Sequence, residues 1–178
     1  MSVLELKTKN GPIRIQLFEH EAPITCEYFS NAVNSGALAR GSIFRIVSSE
    51  EHHNENGPAI DVVQIGTDKG LDEPRSIIVH EHSGRTGVRH DRWTVSAARY
   101  RPGELYHSFF ICLRPEPELD FGGNRHQDGQ GFAAFGKVTA GFDIVTHLHR
   151  QVEQKTCLAQ PIAIDEIRYL RETVDQIA

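Results

Sequence analysis

VLELKTKNGPIRIQLF, residues 3–18, decides the fold. Apolar and polar side chains alternate in VLELKT (3–8) and again in PIRIQLF (12–18), the period of a strand with one buried face. Between them Asn10-Gly11 is a hairpin signal, because both residues accept positive φ. The chain therefore opens as an antiparallel ribbon. Next comes a helix: Pro23 suits its first turn, Ile24, Tyr28, Phe29, Ala32 and Val33 fall on one face, and Gly36 suits its end. Further strands are expected at SIFRIV (42–47), IDVVQIG (60–66), WTVSAAR (93–99), SFFICL (108–113), FAAFGKV (132–138) and IAIDEIRYL (162–170). A polar loop over 48–59, with Asn56-Gly57-Pro58, divides the first two, and a stretch rich in Pro, Gly and Asp fills 114–131. A second helix over 142–149 is expected to bury Phe142, Val145 and Leu148. Many short strands with two helices imply a mainly β fold. The natural closure is an antiparallel barrel with its ends plugged by helices, which leaves no exposed strand edge.

Bulk properties narrow the function classes. At 178 residues the chain suits one domain, and 39% hydrophobic with 24% charged residues is ordinary for a globular protein. No apolar run approaches the roughly 20 residues needed to cross a bilayer. The N-terminus passes straight into strand alternation without a basic, then apolar, leader, so no secretory signal is read and a cytoplasmic location is expected. A net charge of −5 without like-charge blocks argues against nucleic acid. Cys26, Cys112 and Cys157 are far apart with no C-x-x-C, which supports neither disulfides nor a zinc knuckle. Cys26 and Cys112 read as buried apolar residues.

The ten histidines include His80/His82, His147/His149 and the pair His52-His53. H-x-H on a strand puts both rings on one face, but no third ligand is near in sequence. Solvated loop histidines and no bound metal are expected. FGGNRHQDGQG (121–131), with Asp120 and Asp128, lacks the alternating acids of a calcium loop and reads as a shaped surface loop.

SIFRIV, VVQIG, SFFIC and, at a distance, FAAFGKVTAGFDIV follow one another in the order and spacing of the cyclophilin family of peptidyl-prolyl isomerases, which the chain resembles nearly end to end. ELDFGGNRHQDGQGFAAFGKV and the long loop after Arg45 are similar to a bacterial branch of that family. The resemblance implies a single cyclophilin-like domain over 1–178, a closed eight-stranded antiparallel barrel capped by two α-helices. It also implies cis/trans isomerisation of Xaa-Pro bonds without a cofactor. The family's catalytic arginine falls on Arg45, its pocket glutamine on Gln64, its proline-lining phenylalanine on Phe110 and its backbone-presenting alanine on Ala98. Phe132 and Leu119 are expected as neighbours of Phe110 in the slot, and Phe109 as core, since adjacent strand residues face opposite ways. Several positions depart from the family. Phe132 replaces a pocket histidine, Ser108 a glutamine, Asp61 and Val62 a phenylalanine and a methionine, and Ile65-Gly66 a Gly-Gly pair. The family's cyclosporin-associated tryptophan has no counterpart near Glu118-Leu119, and Trp93 lies elsewhere, which argues against cyclosporin binding.

The chemistry explains why an arginine suffices. Xaa-Pro rotation faces a barrier of ~18–20 kcal/mol from the partial double bond. No bond is made or broken, so no nucleophile, metal or proton shuttle is needed. The twisted amide has a pyramidal nitrogen whose lone pair accepts a hydrogen bond only in that geometry. A permanently charged, forked donor selects it. The expected partners are proline-containing peptides or unfolded protein clients, with no nucleic acid and no membrane, and the expected state is monomeric. Two other readings stay open: a proline-peptide binding module with weak or no catalysis, suggested by the altered pocket, and a metal-dependent protein using the histidines.

Overall fold

The computed structural model describes residues 1–52, 57–67 and 76–172. Its elements run β1 (Ser2–Thr8), β2 (Gly11–Leu17), α1 (Pro23–Asn34), β3 (Gly41–Val47), β4 (Val62–Gly66), β5 (Ser76–Ile77), α2 (Ser83–Thr86), β6 (Thr94–Arg99) and β7 (Glu104–Cys112). Then follow a 3-10 turn (Pro117–Leu119), β8 (Ala133–Ala140), α3 (Phe142–His149), β9 (Cys157–Ile164) and β10 (Glu166–Arg171). No helix among the described residues is long and apolar enough to cross a membrane. His53 and Asn56 lie outside the described residues.

All strand pairs are antiparallel, in the order β10-β1-β2-β8-β6-β7-β4-β3-β9, with β5 added beside β7. The two ends of this path are one stretch of chain bent at Asp165: Ile164 pairs with Gly41 on β3, and Glu166 pairs with Lys7 on β1. The Asp165 N–H donates to Lys7 O at 2.9 Å. The path thus returns on itself. Counting β9 and β10 as one bent strand and setting aside the two-residue β5 recovers the expected eight. The one-turn α2 is a third helix that its four residues were too few to announce.

Phe29 stacks on Phe135 at 4.4 Å, and Phe109 meets both edge-on, in a core that contains Ile13, Ile15, Ile43, Ile46, Ile65 and Ile111. In α1 the buried face is Thr25, Cys26, Phe29, Ala32 and Val33, one residue round from the expected one, so Ile24 and Tyr28 are only partly covered. Its N-terminus has no cap of its own, since Ala22 precedes Pro23. The buried Glu81 carboxylate supplies one from across the chain, accepting from Ile24 N at 3.2 Å, Thr25 N at 2.7 Å and Thr25 Oγ1 at 2.7 Å.

Other expectations need correction. In the first hairpin only Gly11 takes positive φ (+122°), whereas Asn10 does not; the turn is Lys9-Asn10, tied by Thr8 Oγ1 donating to Gly11 O at 2.7 Å. Phe142 is 40% exposed rather than core, lying 5.1 Å from Trp93, while Ile144 takes the buried position. Trp93 precedes β6 with φ +73°, a conformation rare outside glycine. His52 is buried, not solvated: Ser48 N donates to its Nδ1 at 3.1 Å and its Nε2 lies 3.0 Å from Glu153 O. His80 and His82 are half-buried. Cys26 and Cys112 are buried, with burial pushing the Cys26 thiol up to about 12 and Cys112 well above its ordinary value.

Candidate active site

Strand register gathers residues that are far apart in sequence. Arg45 pairs with Gln64 across β3–β4, Gln64 pairs with Phe110 across β4–β7, and Phe110 pairs with Ser96 across β7–β6. Directly paired residues share a face, so Arg45, Gln64 and Phe110 form one row on the outside of the barrel. A bulge sets this up. Two β3 residues, Phe44 and Arg45, stand against one on β4, so Ile43 and Ile46 both reach the core while Arg45 turns outward. Phe109 faces inward at 0% exposure, opposite Phe110.

Beside the row lies a second apolar cluster, Val47, Ile60, Val62, Ala98, Phe110, Cys112 and Leu119, with Tyr106 and Phe132 packed on it. It floors a cavity of about 220 Å³ bordered by Arg45, Gln64, Ala98, Phe110, Leu119 and Phe132. Six of the seven residues singled out from sequence therefore meet at one slot. The seventh, Ser108, stands behind: Gln64 Nε2 donates to Ser108 Oγ at 3.0 Å and to Tyr106 Oη at 3.1 Å, while Ser108 Oγ donates to Ile65 O at 2.9 Å. These bonds fix the amide so that Gln64 Oε1 accepts from Arg45 Nη1 at 3.3 Å. Burial raises the Tyr106 pKa, keeping it a neutral phenol.

Phe132 meets Phe110 edge-on at 5.5 Å, and the Arg99 guanidinium lies 4.7 Å above the Phe132 ring. Arg99 is clamped by Asp128 through bonds of 2.8 and 2.9 Å and donates from Nε to Gly131 O at 2.7 Å. Burial would raise the Asp128 pKa, but hydrogen bonds from Arg99 outweigh it and hold the carboxyl at about 2. The loop after the 3-10 turn is thereby pinned against the slot. Asp61, at a position where the resembled family is apolar, points away from it. It accepts from Ser49 N and Oγ at 2.8 and 2.9 Å and forms an ion pair with Arg114, whose Nε lies 2.7 Å away, anchoring the start of the 48–59 loop.

Sequence reasoning missed Arg99, Tyr106, Arg125 and His126 at the slot. Tyr106 was within reach, since 106, 108 and 110 share one face of β7 once the strand is extended back to Glu104. Arg99 follows Ala98 directly, where strand alternation turns the next side chain the other way, and the β6–β7 register shifts between Ala97 and Arg99. His90 was also missed. It is buried, with Nδ1 2.7 Å from Asp120 Oδ1 and Nε2 2.9 Å from Ser96 Oγ. The order Ser-His-Asp resembles a hydrolase triad, but Ser96 is 0% exposed and does not border the cavity. This trio instead locks Asp120, and hence neighbouring Leu119, behind the slot. No cluster of three or more metal-ligating side chains occurs among the described residues.

The chain is similar to known proteins over most of its length. The family profile "Cyclophilin type peptidyl-prolyl cis-trans isomerase/CLD" matches residues 3–169. Peptidyl-prolyl cis-trans isomerase cyp18 of Streptomyces antibioticus is 33% identical over 82% of this chain and 81% of its own. Peptidyl-prolyl cis-trans isomerase A of Dickeya dadantii is 27% identical over 94% of this chain and 84% of its own. Among solved structures, a cyclophilin-type isomerase of Cryptosporidium parvum has the same fold, with TM-score 0.75 and 18% identity over 97% of this chain and 99% of that one.

Proposed function

The chain belongs to the cyclophilin-type peptidyl-prolyl cis-trans isomerase family, and from that premise we propose that it accelerates Xaa-Pro rotation with Arg45 as its catalytic residue. The observation that carries the reading is the row of Arg45, Gln64 and Phe110, which sets a fixed cation beside an apolar slot on one face of the sheet. In this reading the proline ring enters between Phe110, Leu119 and Phe132, with Ala98 at the edge. The Arg45 guanidinium donates to the proline nitrogen only as the amide twists, so the charge stabilises the transition state more than either planar isomer. Gln64 is a positioning residue. Both its N–H groups are engaged by Tyr106 and Ser108, and its carbonyl oxygen braces Arg45.

An acceleration of ten-thousandfold needs about 5.5 kcal/mol, of which one preorganised donor supplies roughly 3–4. Binding and orientation supply the rest. The clients in this reading are flexible Xaa-Pro segments of unfolded cytoplasmic proteins, met by a monomer that needs no cofactor.

A binding module with little catalysis is the second reading. It is favoured by the low exposure of Phe110, 6%, beneath the Phe132 ring. NMR exchange spectroscopy on an Ala-Pro peptide separates the two. Enhanced cis/trans exchange at catalytic protein concentration is expected. Shift changes without faster exchange would leave only the module.

A further inference from the structure

HEHS, residues 80–83, holds the paired histidines that the reaction leaves unused. Glu81 turns inward to cap α1, while the rings of His80 and His82 lie 5.4 Å apart and both meet the 121–131 loop. His82 stacks on Phe121 at 4.3 Å, and Ser83 Oγ accepts from Phe121 N at 2.8 Å, which ties the start of that loop. His80 ties its end, with Nε2 3.0 Å from Gln130 O.

Three consecutive residues lead the loop back into the slot, and each is held by a different element. His80 holds Gln130 O, Arg99 Nε donates to Gly131 O at 2.7 Å, and Phe132 N donates to Leu119 O at 2.9 Å. Phe132 then meets Phe110 edge-on at 5.5 Å. Of the three anchors only the histidine changes protonation near neutrality.

A carbonyl oxygen only accepts, so Nε2 of His80 carries the proton of the neutral ring and Nδ1 is bare. That Nδ1 is buried and, among the described residues, has no hydrogen-bond partner. A second proton there would form an N–H without an acceptor, near the Arg99 guanidinium and the His82 ring. The remaining charged groups around the pair give no relief. Asp128 is taken by Arg99 at 2.8 Å and by His126 at 3.1 Å, Asp120 by His90 at 2.7 Å, and Glu81 by Thr25 at 2.7 Å, while Arg85 adds like charge at His82. Burial holds the His80 pKa below its ordinary 6.5, with Arg99 and His82 lowering it further and the Gln130 carbonyl opposing them.

We propose that His80 is a positioning residue of the slot: while neutral it holds Gln130, and through it Phe132, in place, and on taking a second proton it releases them, so that the grip on proline weakens on the acid side of neutrality. The proposal rests on the reading above for where the proline sits. Arg45 does not titrate and the rotation moves no proton, so the reaction itself supplies no pH dependence in this range. Because the folded value of His80 lies below 6.5, its bond to Gln130 is intact above 6.5 and is lost as the pH falls through that folded value.

The test is an NMR titration of the full chain with a blocked Ala-Ala-Pro-Ala-Ala peptide, which has no titrating group, in steps from about pH 7.5 to about pH 5. Affinity, cis/trans exchange and the histidine ring resonances are read on the same samples. Affinity is expected to fall about fivefold, the scale of one backbone hydrogen bond, in step with the His80 ring titration. His80→Gln keeps an N–H donor for Gln130 O without a titrating group, so its affinity should stay flat on acidification. His126→Gln should fall as the parent does. Parent affinity that is flat over the range, a fall out of step with the His80 ring, a fall that persists in His80→Gln, or one abolished by His126→Gln would overturn the proposal. If the Gln variant fails to fold, the match between affinity and ring titration in the parent decides. Absence of binding at every pH would overturn the proposal together with the isomerase reading. Affinity that follows His80 without accelerated exchange would sink the isomerase reading alone.

Discussion

Gln64 is the residue at which sequence and structure best complement each other. The VVQIG motif assigns it to the pocket, and the geometry shows what it does there. Its two donated bonds hold the amide so that the oxygen braces Arg45. Gln64→Ala should therefore leave an arginine of full charge but poor aim. A loss of about ten- to hundredfold in kcat with little change in KM is expected, since misplacement of about 1 Å costs that order. Steady-state kinetics on a proline peptide check it, and a rise in KM at constant kcat would instead make Gln64 a binding residue. Arg45 and Phe110 were legible because each sits in a short, ordered motif on a strand. Arg125 and His126 were not, because a loop has no period from which a facing direction can be read. Phe132 replaces a polar residue of the resembled family, and Arg99 lies over its face. That partnership spans 33 positions and has no local signature.

At the scale of elements, parity is the informative signal and bulges are where it breaks. Ile43 and Ile46 are three apart yet both lie in the barrel core, on one face, which a regular strand cannot do. The bulge at Phe44–Arg45 reconciles them and is the reason that Arg45 faces outward at all. The hairpin, the main helices and most strands followed from alternation and turn residues. The break at Asp165 did not, because IAIDEIRYL keeps its alternation through the bend while its hydrogen-bonding partner changes from β3 to β1. Capping of α1 was equally hidden, since Glu81 lies 56 residues from the Thr25 it bonds. Three bonds to one buried carboxylate make that residue costly to lose. Glu81→Ala should lower stability by about 2 kcal/mol, as for a charged hydrogen bond combined with a lost cap. Urea unfolding measures this, and a change under about 0.5 kcal/mol, the scale of an ordinary surface substitution, would show that α1 needs no such cap.

For the whole molecule, the barrel interior and the outer apolar cluster divide the labour: the first holds the fold and the second floors the slot. The loop over that floor is fastened by the Arg99–Asp128 clamp, which makes its order sensitive to acid. Asp128 titrates lower in the folded protein, near 2 against an ordinary 3.8. Its contribution is thus complete above pH 3.8 and is lost as the pH falls toward 2. Stability measured by urea unfolding should decline across that window, and Asp128→Asn should flatten the decline. An unchanged slope in the variant would remove the clamp from the account. Composition and pattern reached the barrel; they could not reach a clamp that depends on two side chains meeting across it. The central claim, that one fixed cation in the row drives the rotation, is tested most directly by Arg45→Ala in a protease-coupled proline-peptide assay, with circular dichroism to verify the fold. A fall in kcat/KM of about 10²–10³ with the fold intact is expected, and activity equal to the parent's would contradict it.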